Sequence, residues 1–150
     1  HLFEVLWNKN FQDYMFDDIL LALKYCQIYL RELSVDNIDN DLDKKMQIAA
    51  CLAGTLIQKT KTAAAHSISY PLTYIFKIPH GVAVSFTLPK LLIINSRGKR
   101  RKILLKAAIK LGYKNIKNWS ENSPNVLIRK KLNRGGIGCF ALHLIVSFPP

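Results

Sequence analysis

Between residues 11 and 33, Met15, Phe16, Ile19, Leu20, Leu23, Cys26, Leu30 and Leu33 recur at spacings of three and four. That period puts them on one stripe of an α-helix, and a stripe this apolar must be covered by other elements. The chain is therefore committed to packed helices from its first third onward. An acidic link with Asp36, Asn37, Asp39 and Asn40 supplies turn and N-cap chemistry, so a second helix is expected to begin near Leu42 or Asp43 and to run, with room for a break, to about Ser69. Pro71 disfavours helix at Tyr70, and a loop is expected over residues 73–79.

A third segment opens at Pro79-His80-Gly81. It reads as a buried helix bent at Pro89, although Val82-Ala83-Val84-Ser85-Phe86-Thr87-Leu88 alone could pass for a strand. Asn95-Ser96-Arg97-Gly98 is a turn. Beyond it Ile103, Leu104, Ala107, Ala108 and Leu111 form one helix face and Lys99, Lys102, Lys106 and Lys110 another, with Gly112 as the stop. After Trp119 the pattern changes: a polar loop over 120–124, the run Arg129-Lys130-Lys131, then Gly135-Gly136-Ile137-Gly138, with a β-strand possible over 141–148. The expectation is an all-α domain over residues 1–119 and an irregular tail over 120–150, truncated or foreign to the domain.

With 150 residues and 49% hydrophobic composition the chain can build a real core, but it is too short for a two-domain enzyme. It opens on His1, which suggests a processed chain or a fragment starting in mid-domain. The net charge of +12 is uneven: residues 1–44 hold nine acids against four bases, net −5, and the remainder eighteen bases against Glu121 alone, net +17. A solvated cationic face is the plainer reading. A nucleic-acid surface through residues 99–110 and 129–134 is the sharper one, with Tyr113 and Trp119 as the only nearby stacking aromatics. Three scattered cysteines, Cys26, Cys51 and Cys139, favour a reducing, cytoplasmic setting, and no stretch reads as a membrane span.

Of the four histidines, His66 follows three alanines on a helix and His80 follows the Ile78-Pro79 entry to the next. A helix end and the next helix start can bring two imidazoles onto one Fe²⁺ or Zn²⁺ ion. On spacing alone, two histidines fourteen apart match no general metal motif, and two separately hydrogen-bonded histidines are the better explanation.

The residues around them add a resemblance. Ala65-His66-Ser67-Ile68-Ser69-Tyr70-Pro71-Leu72-Thr73, then Ile78-Pro79-His80-Gly81-Val82-Ala83 and Leu88-Pro89, closely resemble the metal-binding signature of the iron-containing alcohol dehydrogenases, and Ala53-Gly54-Thr55 looks like that family's preceding helix. His1-Leu2-Phe3-Glu4 with Trp7 resembles the family's Asp-Ala-x-x-His-x-x-Glu segment. The resemblance implies His1, His66 and His80 as metal ligands, with an aspartate ligand expected four residues before His1. It also implies NAD(P) bound mainly by a separate N-terminal dinucleotide domain, an alcohol or aldehyde substrate, and leaves a homodimer open. No Gly-rich phosphate loop follows a strand in this sequence.

One departure is informative. Where many members of the family carry a second histidine one turn after the first, this chain has Tyr70, and Thr60-Lys61-Thr62 ahead of His66 looks more like the branch that reduces phosphonate-bearing aldehydes such as phosphonoacetaldehyde. Tyr70 is then a candidate catalytic hydrogen-bond donor to the substrate oxygen. Lys61, read as one to two helical turns before His66, is a candidate phosphonate-binding residue. A packing tyrosine and a solvated lysine are the plainer alternatives. The overall expectation is the metal-binding half of a metal-dependent alcohol dehydrogenase, inactive without its partner domain, with an inactive remnant or a basic nucleic-acid-binding module as the other readings.

Overall fold

A computed structural model describes residues 1–33, 37 and 39–123; the expected strand over 141–148, the Gly135–Gly138 stretch, Cys139 and the basic run at 129–134 lie outside them. Among the described residues there are seven α-helices and no strand, in agreement with the all-α expectation.

The element that organises the rest is the shortest. α1 (Leu2–Trp7) buries all six of its residues, because Leu-Phe-Glu-Val-Leu-Trp is apolar all round except at Glu4. A helix without a polar face can only be central. It packs against α2 (Phe16–Leu33), α3 (Asn40–Thr60), α5 (His80–Asn95) and α6 (Arg101–Lys110). Phe3 sits 5.0 Å from Trp119 and 6.1 Å from Trp7, ring centre to ring centre. Around that cluster Ile19, Leu92 and Leu104 are sealed from solvent.

α2 presents the predicted stripe. Phe16, Ile19, Leu20, Leu23 and Leu30 are buried against α1 and α3, after a 3₁₀ turn over Asp13–Met15. The helix expected from residue 11 thus begins at Phe16. Asp39 caps α3 by accepting the Leu42 N–H at 2.8 Å, as the link composition implies. After α6 the chain reverses at Gly112, whose φ of +87° favours a residue without Cβ. α7 (Ile116–Asn122) follows, capped by Asn115, and its last residues, 120–122, lie in the stretch expected to be a polar loop.

The main correction concerns residues 61–79. The long second helix ends at Thr60, and a new one, α4 (Ala64–Phe76), carries straight through Tyr70 and Pro71 to within four residues of α5. Pro71 removes one helical N–H but sits on the exposed side of α4, while the other face packs on α5, and that packing outweighs the local preference. Lys77, left-handed at φ 54°, stops α4; its N–H and that of Ile78 both return to the Leu72 carbonyl. α5 likewise continues through Pro89 as one helix, so residues 82–88 are helical rather than a strand.

Candidate functional site

α4 and α5 form a tight pair, and both histidine motifs lie on it. His66 lies in the first turn of α4 and is buried; His80 is the first residue of α5 and half-buried. Their ring centres are 5.4 Å apart. His1, at the start of α1, stacks on His66 at 4.8 Å with the planes within 4° of parallel. Three imidazoles distant in sequence are thus gathered where three helices begin.

Each of the two inner rings is held through Nδ1. Glu4 Oε2 lies 2.6 Å from His66 Nδ1, and Ser69 Oγ, which donates to the His66 carbonyl at 2.7 Å, lies 3.4 Å from His80 Nδ1. Glu4 is fully buried and also accepts the N–H groups of Ala63 (2.9 Å), Ala65 (2.7 Å) and His66 (3.4 Å). Burial alone would raise its pKa; the hydrogen bond with His66 and those from the amides at the start of α4 outweigh it and hold the carboxyl at about 2. Burial, followed by the neighbouring His66, lowers the pKa of His80, which keeps its imidazole neutral at pH 7.

The donor chemistry fits Fe²⁺ or Zn²⁺, both of which take neutral imidazole. Two imidazoles that share one ion at a metal–nitrogen distance of about 2.1 Å have ring centres about 5 Å apart, close to the His66–His80 separation here. The coordination set is nevertheless incomplete: among the described residues, no group of three or more His, Cys, Asp or Glu side chains is arranged to hold a metal ion. The stacked His1–His66 pair gives a physical reason. A ligating nitrogen points in its ring plane, and one ion cannot lie in two parallel, offset planes, so His1 must turn to join. His1 is exposed. Thr73 Oγ1, on the face of α4 that carries His66 and Tyr70, is buried without a hydrogen-bond partner among the described residues.

Tyr70 lies one turn beyond His66 on the same helix, its ring parallel to that of His80 at 6.1 Å and about half exposed. It borders the imidazole cluster rather than filling the core. Lys61 differs from its expected position. Because α3 ends at Thr60, Lys61 occupies the joint between α3 and α4, and helical spacing does not relate it to His66. Its backbone has φ 71° and ψ 162°, a region nearly confined to glycine, and is fixed there by its own N–H to the Ile57 carbonyl (2.7 Å) and by Asn8, which donates to its carbonyl (3.1 Å). The side chain is exposed.

Residues 1–132 match the family described as "Fe-containing alcohol dehydrogenase family, C-terminal". The chain belongs to the iron-containing alcohol dehydrogenases. The match covers their C-terminal, helical domain and runs well past the histidine motifs. Searches of curated proteins and of solved structures returned no match. Family membership brings, in general, an iron-type metal and NAD(P) chemistry. Tyr113 and Trp119, the aromatics that the nucleic-acid reading invoked, are both buried, ring on ring at 6.0 Å. No helix among the described residues is long and apolar enough to cross a membrane.

Sequence reasoning missed the working role of Glu4 and Ser69. The signal for Glu4 was present: a lone carboxylate inside an apolar hexapeptide must find partners, and none exists locally. For Ser69 no comparable signal exists, since a serine on a helix is ordinary.

Proposed function

We propose that this chain is the metal-binding part of an NAD(P)-linked alcohol dehydrogenase or aldehyde reductase, with His1, His66 and His80 as its share of the ligands. It would work with a dinucleotide-binding domain outside these 150 residues. The observation that carries the reading is the gathering of three imidazoles from α1, α4 and α5, in a chain of this family, with ring spacings of 4.8 and 5.4 Å.

Fe²⁺ or Zn²⁺ bound there would polarise an alcohol or aldehyde oxygen for hydride exchange with a nicotinamide. The side chains contribute the rest. Glu4 and Ser69 hold two of the rings by Nδ1, which leaves their Nε2 atoms for binding. Tyr70, beside His80, can donate a hydrogen bond to the substrate oxygen as the candidate catalytic residue. A phosphonate-bearing aldehyde is the finer substrate proposal. It rests on Tyr70 and on Lys61, whose fixed backbone presents a flexible ammonium at the α3–α4 joint as the candidate substrate-binding group.

Metal analysis of the purified chain after incubation with Fe²⁺ or Zn²⁺ tests the reading, with His66→Ala and His80→Ala alongside. Bound metal in the parent and its loss in both variants is the expected result. Equal metal content in all three overturns the ligand assignment. The chain alone is expected to show no NAD(P)H-dependent turnover.

A further inference from the structure

We infer that Glu4 is a positioning residue for the metal centre: it fixes His66 in the tautomer that carries its proton on Nδ1, and so makes Nε2 the ligating atom. The inference rests on the metal-centre reading above and adds to it the atom that binds and the residue that selects it.

Four donors converge on the carboxylate. Oε1 accepts the N–H groups of Ala65 and His66; Oε2 accepts that of Ala63 and faces His66 Nδ1 at 2.6 Å. A carboxyl that already accepts three backbone N–H groups is held in its ionised, acceptor-only form. The short contact is therefore an Nδ1–H donating to Oε2, and a neutral His66 must keep its lone pair on Nε2. The same four contacts fix the ring in space, because the acceptor is anchored to the backbone of the helix that carries His66. Glu4 sits on α1, with no solvent-exposed atoms and no freedom to follow a turning ring. No local residue could take its place: the residue preceding α4 is Ala63, which has no side-chain cap to offer. His80 has a looser counterpart in Ser69: its hydroxyl proton goes to the His66 carbonyl, so toward His80 Nδ1, 3.4 Å away, its oxygen can only accept, a longer and weaker contact than that of Glu4.

The test is a long-range ¹H–¹⁵N correlation spectrum of the metal-free 150-residue chain, combined with titration by Co²⁺ as the metal probe. His66 is expected as the Nδ1–H tautomer in the parent chain. In Glu4→Gln, whose side-chain NH₂ can present a donor where only acceptors fit, the ring should redistribute toward Nε2–H and Co²⁺ affinity should fall by about 10- to 100-fold. A parent spectrum with the proton on Nε2 overturns the inference, and that spectrum needs no variant to fold. Loss of the tautomer in Glu4→Gln with unchanged Co²⁺ affinity overturns the positioning role. Failure of a different kind is separable: if His66→Ala binds Co²⁺ as tightly as the parent, the metal-ligand assignment falls, whatever the tautomer.

Discussion

Replacing Glu4 by Gln should cost the metal-free protein stability in a way that depends on pH. In the fold the carboxyl stays ionised down to about pH 2, whereas in the unfolded chain it takes up a proton near its ordinary 4.5. At about 1.4 kcal/mol for each tenfold change in proton affinity, that difference is about 3 kcal/mol. Because the folded value is the lower one, the contribution is complete above about pH 5 and disappears as pH falls toward about 2. The amide of the Glu4→Gln variant cannot titrate, so the stability gap between parent and variant should be about 3 kcal/mol at neutral pH, or about 6–12 °C in Tm for a chain of this size, and should close in acid. Urea unfolding followed by circular dichroism, in chelator-treated samples from neutral pH to about pH 2.5, measures the gap directly. A gap that is the same at both ends would refute the reasoning, because the loss would then come from shape or packing rather than from the charge held by His66 and the amides at the start of α4.

Other substitutions probe the joints around the site. Pro71→Ala should raise stability by about 1–3 kcal/mol, since an exposed helical position regains its N–H; a lower urea midpoint would mean that the proline is needed where it stands. Lys61→Gly should stabilise the chain by about 1 kcal/mol by relieving its positive-φ backbone, and should weaken binding of a phosphonate-bearing aldehyde in an assembled enzyme, so thermal melts should show a higher Tm while the KM for that aldehyde rises. Leu104→Ala, at a fully buried position on α6, should cost about 2–5 kcal/mol with little effect on Co²⁺ binding, since it lies in the core rather than among the histidines; parallel loss of both would show that the metal centre depends on global stability.

The elements that were legible were those whose signal is local. The stripe of α2, the Asp39 cap, the Pro79 entry to α5 and the Gly112 stop each follow from side chains within a few residues. The histidines were singled out through the resemblance that their neighbours carry, and the structure brings their rings to 4.8 and 5.4 Å of one another. The Pro71 region was misread because the rule that a proline discourages helix at the preceding residue is a local preference, and the packing of α4 on α5 exceeded it. Lys61 was misplaced for the same reason in reverse. Nothing in Thr60-Lys61-Thr62 demands a break; the break comes with Asn8 holding the Lys61 carbonyl and Glu4 collecting the amides that follow.

By itself, then, the sequence determined that this protein is helical and about where α5 and α6 begin, since periodicity and capping are properties of neighbours along the chain, and a family resemblance in its motifs singled out His1, His66 and His80. Only the tertiary structure decided how those histidines are held. Glu4 acts on residues about sixty positions away: it caps a helix that has no cap of its own and fixes the ring of His66. A buried carboxylate must be satisfied, but which donors satisfy it is settled by what packing brings within about 3 Å, and no pattern of nearby residues encodes that distance.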